Sequence, residues 1–261
     1  MRIAAFFMPF FALLAGAAGF FMRRLEWMTV FNSAGLPERG AALTYALIGL
    51  AALFLLVSLV FSIFVATRHR ALKGFENAYG TDSLAYPFSF GIIGLIWLAA
   101  TVMYFLEVRA TGNVPVITIY FSIFSGISAI SAAFFAVEMY NDPRRKSVFA
   151  LSVIPTLFLC FWLVLVYRDN ASNPILLGYA YQVLAIIASA LAFYFTSGFV
   201  YGKPAPGKTV FFYSMSVFFC AVTIADSHNI MIRVIFGSVL LMNLLYLSKL
   251  VRNLRRKAVV R

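Results

Sequence analysis

Charge is what this sequence has least of. Of its 261 residues, 21 are Lys or Arg, 9 are Asp or Glu and 2 are His. Charged residues make up 11% of the chain and apolar ones 63%, against about 25% and roughly 45–50% in a soluble domain. A water-soluble fold of this length could not bury so much apolar side chain, so hydrocarbon has to act as part of the solvent. Cysteine is equally scarce. Cys160 and Cys220 both lie inside apolar runs, which excludes a disulfide framework and leaves too few ligands for a metal site.

Other absences narrow the chemistry. The topology argued below puts His69 and His228 on opposite sides of the membrane, which excludes an intramembrane bis-histidine haem. The final apolar run has no lysine near its middle to form a retinal Schiff base. There is no phosphate-binding loop and no HExxH pattern. Gly126-Ile127-Ser128 imitates a serine nucleophile, but no histidine lies at that depth to activate it. No cofactor, no metal and no catalytic residue are expected.

What the sequence does contain is a series of greasy segments. A bilayer span needs about 20 apolar residues. Eight runs qualify, at 3–22, 41–66, 87–106, 116–139, 147–167, 174–201, 209–225 and 230–250. Polar punctuation separates them, most clearly Asn141-Asp142-Pro143-Arg144-Arg145-Lys146 and Gly202-Lys203-Pro204-Ala205-Pro206-Gly207-Lys208. A single helix over 209–250 would be about 63 Å long, twice the hydrocarbon thickness. The polar stretch Asp226-Ser227-His228-Asn229 therefore reads as the turn of a hairpin. The first run exceeds the apolar stretch of a signal peptide and is expected to be a retained helix.

Orientation follows from the basic residues. With the N-terminus inside, cytoplasmic segments hold 15 Lys and Arg and outer segments 6. The expected fold is an all-α polytopic transmembrane bundle of about eight spans, with both termini cytoplasmic. Residues 1–251 form one transmembrane helical domain, and 252–261 form a basic cytoplasmic tail. Longer connections are expected at 23–40, outside, and 67–86, inside.

The net charge of +12 does not indicate nucleic acid, because the basic residues sit in short clusters between apolar runs. Arg144, Arg145 and Lys146, with Arg252, Arg255, Arg256 and Lys257 at the C-terminus, are expected to lie on the anionic membrane surface. The lipid bilayer is the expected partner. Compact loops and the lack of targeting signals point to a bacterial plasma membrane.

Ionisable groups in or near the membrane are functional candidates because they are expensive to keep there. Glu107, Gln182, Asp226, His228 and Arg233 all fall near the outer side and could line a shallow ligand-binding pocket. The plainer reading has Asp226 and Arg233 forming a local pair. His228 beside a carboxylate would titrate near neutral pH. Trp27, Tyr104, Tyr167, Tyr194 and Tyr201 suit an aromatic belt. Ser122, Ser125, Ser128 and Ser131 form a stripe that either packs helices or lines a polar path. Pro155 should kink the fifth run.

Three function classes remain. The first is a small-molecule or ion transporter, or a permease-like subunit. The second is an accessory or sensory subunit working through a partner membrane or cytoplasmic protein. The third is an enzyme acting on a lipid-like substrate. A hydrated cavity reaching mid-membrane would favour the first, and a dry bundle with side grooves the second.

Overall fold

The computed structural model describes residues 2–31, 41–68, 75–81, 83–141, 146–171 and 175–254. Among these residues the structure is helical: α1 Arg2–Thr29, α2 Ala42–Arg68, α3 Phe75–Tyr79, α4 Ala85–Ala110, α5 Val116–Asn141, α6 Lys146–Asn170, α7 Leu176–Val200, α8 Pro206–Ile224 and α9 Ile230–Asn253. All but α3 are long and apolar enough to cross a membrane. Helices suit this setting because hydrocarbon offers no partners to an unpaired backbone group. Of the surface-basic residues, Arg144, Arg145, Arg255, Arg256 and Lys257 lie outside the described residues. Lys146 opens α6 and Arg252 is exposed near the end of α9.

Two of the expected boundaries need correction. The first run does not stop at Met22, because α1 continues through Arg23, Arg24 and Glu26 to Thr29. Arg23 and Glu26 are satisfied inside the fold and Arg24 stays exposed, so these charges do not end the helix. The expected loop 67–86 contains α3, whose Phe75, Ala78 and Tyr79 are buried. Pro155 lies within α6, which runs unbroken as an α-helix across it. Gly202, at φ +72°, closes α7 in a backbone conformation that other residues rarely adopt.

The spans are not equivalent. Helices α4 to α9 form a ring in which each packs on the next and α9 returns to α4, while α1 and α2 lie outside it against α8. In its apolar stretch α8 has 78% of residues buried, and α2 only 22%. Glycine lets α8 serve this role. A Cβ on Gly16 would stand 3.0 Å from Ala221, and one on Gly19 would stand 2.7 Å from Val222. These contacts bring the α1 backbone close to α8. In the serine stripe of α5, Ser125 and Ser131 tie helices together, while the Ser122 and Ser128 hydroxyls have no hydrogen-bond partner among the described residues. Ser125 Oγ accepts from Trp97 Nε1 at 3.0 Å and lies 2.8 Å from Thr101 Oγ1, and Ser131 donates to the Leu151 carbonyl at 2.8 Å.

Candidate functional site

The chain folds so that the last turns of α1, α4 and α6, the first turns of α5 and α7, and the α8–α9 turn meet at one end. This Asp226 end holds a buried ionic network. Arg23, fully buried, donates from Nε to Asp226 Oδ1 at 2.6 Å and from Nη1 to Glu26 Oε2 at 2.7 Å. Trp27 Nε1 donates to the same Asp226 oxygen at 2.9 Å, and Thr44 of α2 donates to Glu26 Oε1 at 2.6 Å. The guanidinium also lies 5.0 Å from the centre of the Tyr181 ring on α7. One arginine thus joins α1, α2, α7 and the α8–α9 turn. A buried charge needs this degree of pairing to be tolerated.

Asp226 therefore pairs with Arg23 and not with Arg233, which corrects the local pair expected from sequence. Arg233 Nε is buried with no hydrogen-bond partner among the described residues. Trp27 serves the network and is not a free belt residue. Burial raises the Asp226 carboxyl above its usual range, and Arg23 opposes that rise. Burial holds His228 below 6.5, with Arg233 and Arg23 acting in the same direction and Asp226 opposing them.

In front of the network lies a pocket of about 220 Å³ lined by Gln182, His228, Arg168, Asp169 and Asn170 among others. That is smaller than the roughly 300–1,000 Å³ of pockets for drug-sized ligands. Its floor is aromatic. Phe121 and Trp162 line it, and behind them Phe158 and Phe236 stack at centroid distances of 5.6 and 4.5 Å from Trp162. Trp162 lies eight residues from Asn170, about 12 Å along the helix. The pocket therefore occupies only the outer part of the bundle at this end.

His228 is the link between pocket and network. Its Nε2 faces Asp226 Oδ2 at 3.8 Å, and both atoms are buried without a hydrogen bond. Its Nδ1 is not among the buried unpartnered atoms, and His228 lines the pocket. One ring nitrogen thus faces Asp226 in the interior, and the residue also contributes to the pocket lining.

Of the five candidate residues, Gln182 and His228 line the pocket together. Asp226 sits behind His228, 1% exposed. Glu107 is exposed and accepts from Asn229 Nδ2 at 2.8 Å, while Asn229 lines the pocket. Arg233 belongs to the same end but does not line the pocket. Sequence reasoning missed Arg23, Glu26 and Thr44. It also missed the lining groups Arg168 and Asp169, which pair with each other at 2.6 Å while more than half exposed.

Polar groups elsewhere are closed in. Mid-helix Asn243 donates to Ser216 at 2.7 Å, and Ser216 lies 2.7 Å from Ser189. Among the described residues no group of three metal-ligating side chains occurs. No family model, no curated protein and no solved structure matches this chain. Its own sequence and structure make it an integral, multi-pass membrane protein of eight apolar helices surrounded by lipid.

Proposed function

We propose that the protein binds a small polar solute in the Gln182–His228 pocket, and that it works as a sensory or accessory membrane subunit rather than as a carrier. What supports this most is the aromatic cluster of Phe121, Phe158, Trp162 and Phe236, which we read as a floor that closes the pocket before mid-membrane. Other grooves are lined mostly by apolar side chains, one between α1 and α9 at Phe10 and Leu244, another between α2 and α7 at Leu55 and Leu184. They suit acyl chains or a partner helix. The basic-residue count of 15 against 6 turns the pocket away from the cytoplasm, in a bacterial plasma membrane with both termini inside.

A second reading, transport, draws on the buried Asn243–Ser216–Ser189 hydrogen-bond chain near the middle of α9, α8 and α7. Water access separates the two. In a background carrying Cys160→Ser and Cys220→Ser, single cysteines are placed at Asn229, in the pocket, and at Ser189, beneath its floor. Intact cells are then treated with a membrane-impermeant maleimide. Asn229→Cys is expected to label from outside and Ser189→Cys to stay unlabelled in cells and in inverted vesicles. Labelling of Ser189→Cys from either side would replace the sensory reading with the transport one.

A further inference from the structure

We infer that the pocket ligand is a small carboxylate that binds together with one proton, taken up by His228. This rests on the binding reading above. The charged lining is internally paired, with Arg168 donating to Asp169 Oδ1 and the Glu107 carboxylate taking the Asn229 amide. The same lining also holds groups that can donate to an anion. Arg168 has further N–H groups, its exposed pair with Asp169 is worth little and opens easily, and Gln182 supplies an amide. The apolar part of the lining, Ile117 with the floor residues Phe121 and Trp162, takes a short hydrocarbon tail.

The proton follows from the two faces of His228. When the ring is neutral, no acceptor is within hydrogen-bond reach of Nε2, because Asp226 Oδ2 lies 3.8 Å away. An imidazolium donates from both nitrogens. Its Nε2–H closes onto the unpartnered Asp226 Oδ2, and its Nδ1–H points into the pocket at the carboxylate. The first contact satisfies Asp226 Oδ2, which has no hydrogen-bond partner among the described residues. The balance is simple: carboxylate plus a solvent proton gives a bound carboxylate on a protonated ring, and no bond to carbon changes.

The surrounding charges make the two events cooperative. His228 faces Asp226 on its own turn, Arg23 and behind it Glu26 on α1, Arg233 on α9, Arg168 and Asp169 on α6, and Glu107 of α4 through Asn229. Arg23 and Arg233 oppose a positive ring in the empty pocket. An anion beside Nδ1 reverses that balance, so by linkage each event favours the other.

The test is calorimetric, on the full chain in detergent or nanodiscs. Propionate, inorganic phosphate, choline and glycerol are titrated in two buffers of different ionisation enthalpy between about pH 5.5 and 7.5, where a carboxylate stays ionised. Propionate is expected to bind, with net uptake approaching one proton and affinity rising up to about tenfold per pH unit as pH falls. His228→Gln should flatten that slope, and Arg168→Gln should weaken binding at every pH. Arg168 lies outside the Arg23 network, and His228 borders it at Asp226 without a hydrogen bond, so a thermal melt of each variant accompanies the titration. Propionate binding with no proton uptake overturns the inference and leaves the pocket reading intact, as does selective binding of phosphate, choline or glycerol. If none of the four binds, the inference fails, and the cysteine labelling judges the pocket reading separately.

Discussion

At the Asp226 end buried polarity centres on an ionic network; toward the opposite end it centres on a phenolic cluster, with the buried Lys249 ammonium 4.8 Å from the Tyr86 ring. There Tyr79, Tyr213 and Tyr246 are fully buried. Tyr79 and Tyr213 hydroxyls lie 3.0 Å apart, Thr196 hydrogen-bonds Tyr213, and the Tyr213 and Tyr246 rings stack at 5.9 Å. Asn253 donates to the Ala78 carbonyl at 2.9 Å and fastens α3 beneath α9. The grooves described toward this end are lined mostly by apolar side chains, and its phenolic groups lose little if one hydroxyl is removed. The ionic end concentrates its polarity on one arginine and the carboxylates it holds, Glu26 and Asp226 among them. It is the stronger joint when complete and the weaker one when a member is missing.

The largest test of that contrast is Asp226→Ala. It takes the Asp226 carboxylate away from the buried Arg23 and is expected to lower stability by about 3–5 kcal/mol, read from thermal unfolding in detergent. Replacing all three members, Arg23→Met with Glu26→Leu and Asp226→Leu, should recover most of the loss, since packed apolar side chains substitute well for a buried ion triad. Failure of that rescue would mean the charges do more than hold each other. Next comes Gly207, whose added Cβ would lie 2.6 Å from the Ser62 carbonyl oxygen and 2.7 Å from Ala66. Gly207→Ala should cost about 1–3 kcal/mol by forcing α2 off α8. Gly49→Ala, with nothing within 4 Å, is the near-silent control.

At the phenolic end the expected effects are smaller and differ in sign. Tyr213→Phe removes a hydroxyl bonded to both Tyr79 and Thr196 and should cost about 1 kcal/mol. Tyr246→Phe removes a buried hydroxyl that has no partner, so it should be neutral or stabilising in the same melt. Equal losses for the two would erase the distinction. The smallest effect is in pH. Because folding holds His228 below 6.5, the unfolded chain takes the proton first, and stability falls as pH drops from 6.5 towards the folded value. Comparing melts of wild type and His228→Gln across that window should show a shallower decline in the variant.

Much of this architecture was legible because run length and loop punctuation are local properties. The eight spans and the hairpin turn at Asp226–Asn229 follow from counting apolar residues against bilayer thickness. Gln182 and His228 were placed at one end by the same count, and the structure brings them into one pocket. The Arg23 network was not legible, because it depends on pairing between helices at opposite ends of the chain. A signal was nevertheless present. Leu25, Trp27, Met28, Val30 and Phe31 continue the apolar pattern past Arg23 and Glu26, which stand three residues apart on one helix face. Charges embedded in a run that does not stop indicate a buried pair. For Tyr79, Tyr213 and Tyr246 nothing in composition separates a core tyrosine from one at the lipid surface.

The Arg23–Asp226 bond also sets a timetable for synthesis. The two residues are 203 positions apart, so at about 5–20 residues per second the arginine exists for about 10–40 s before its partner is made. Glu26, one turn along the same helix, is present almost at once and can neutralise the charge while the first helix enters the lipid. The intrahelical carboxylate is then the partner for insertion, and Asp226 is the partner for assembly.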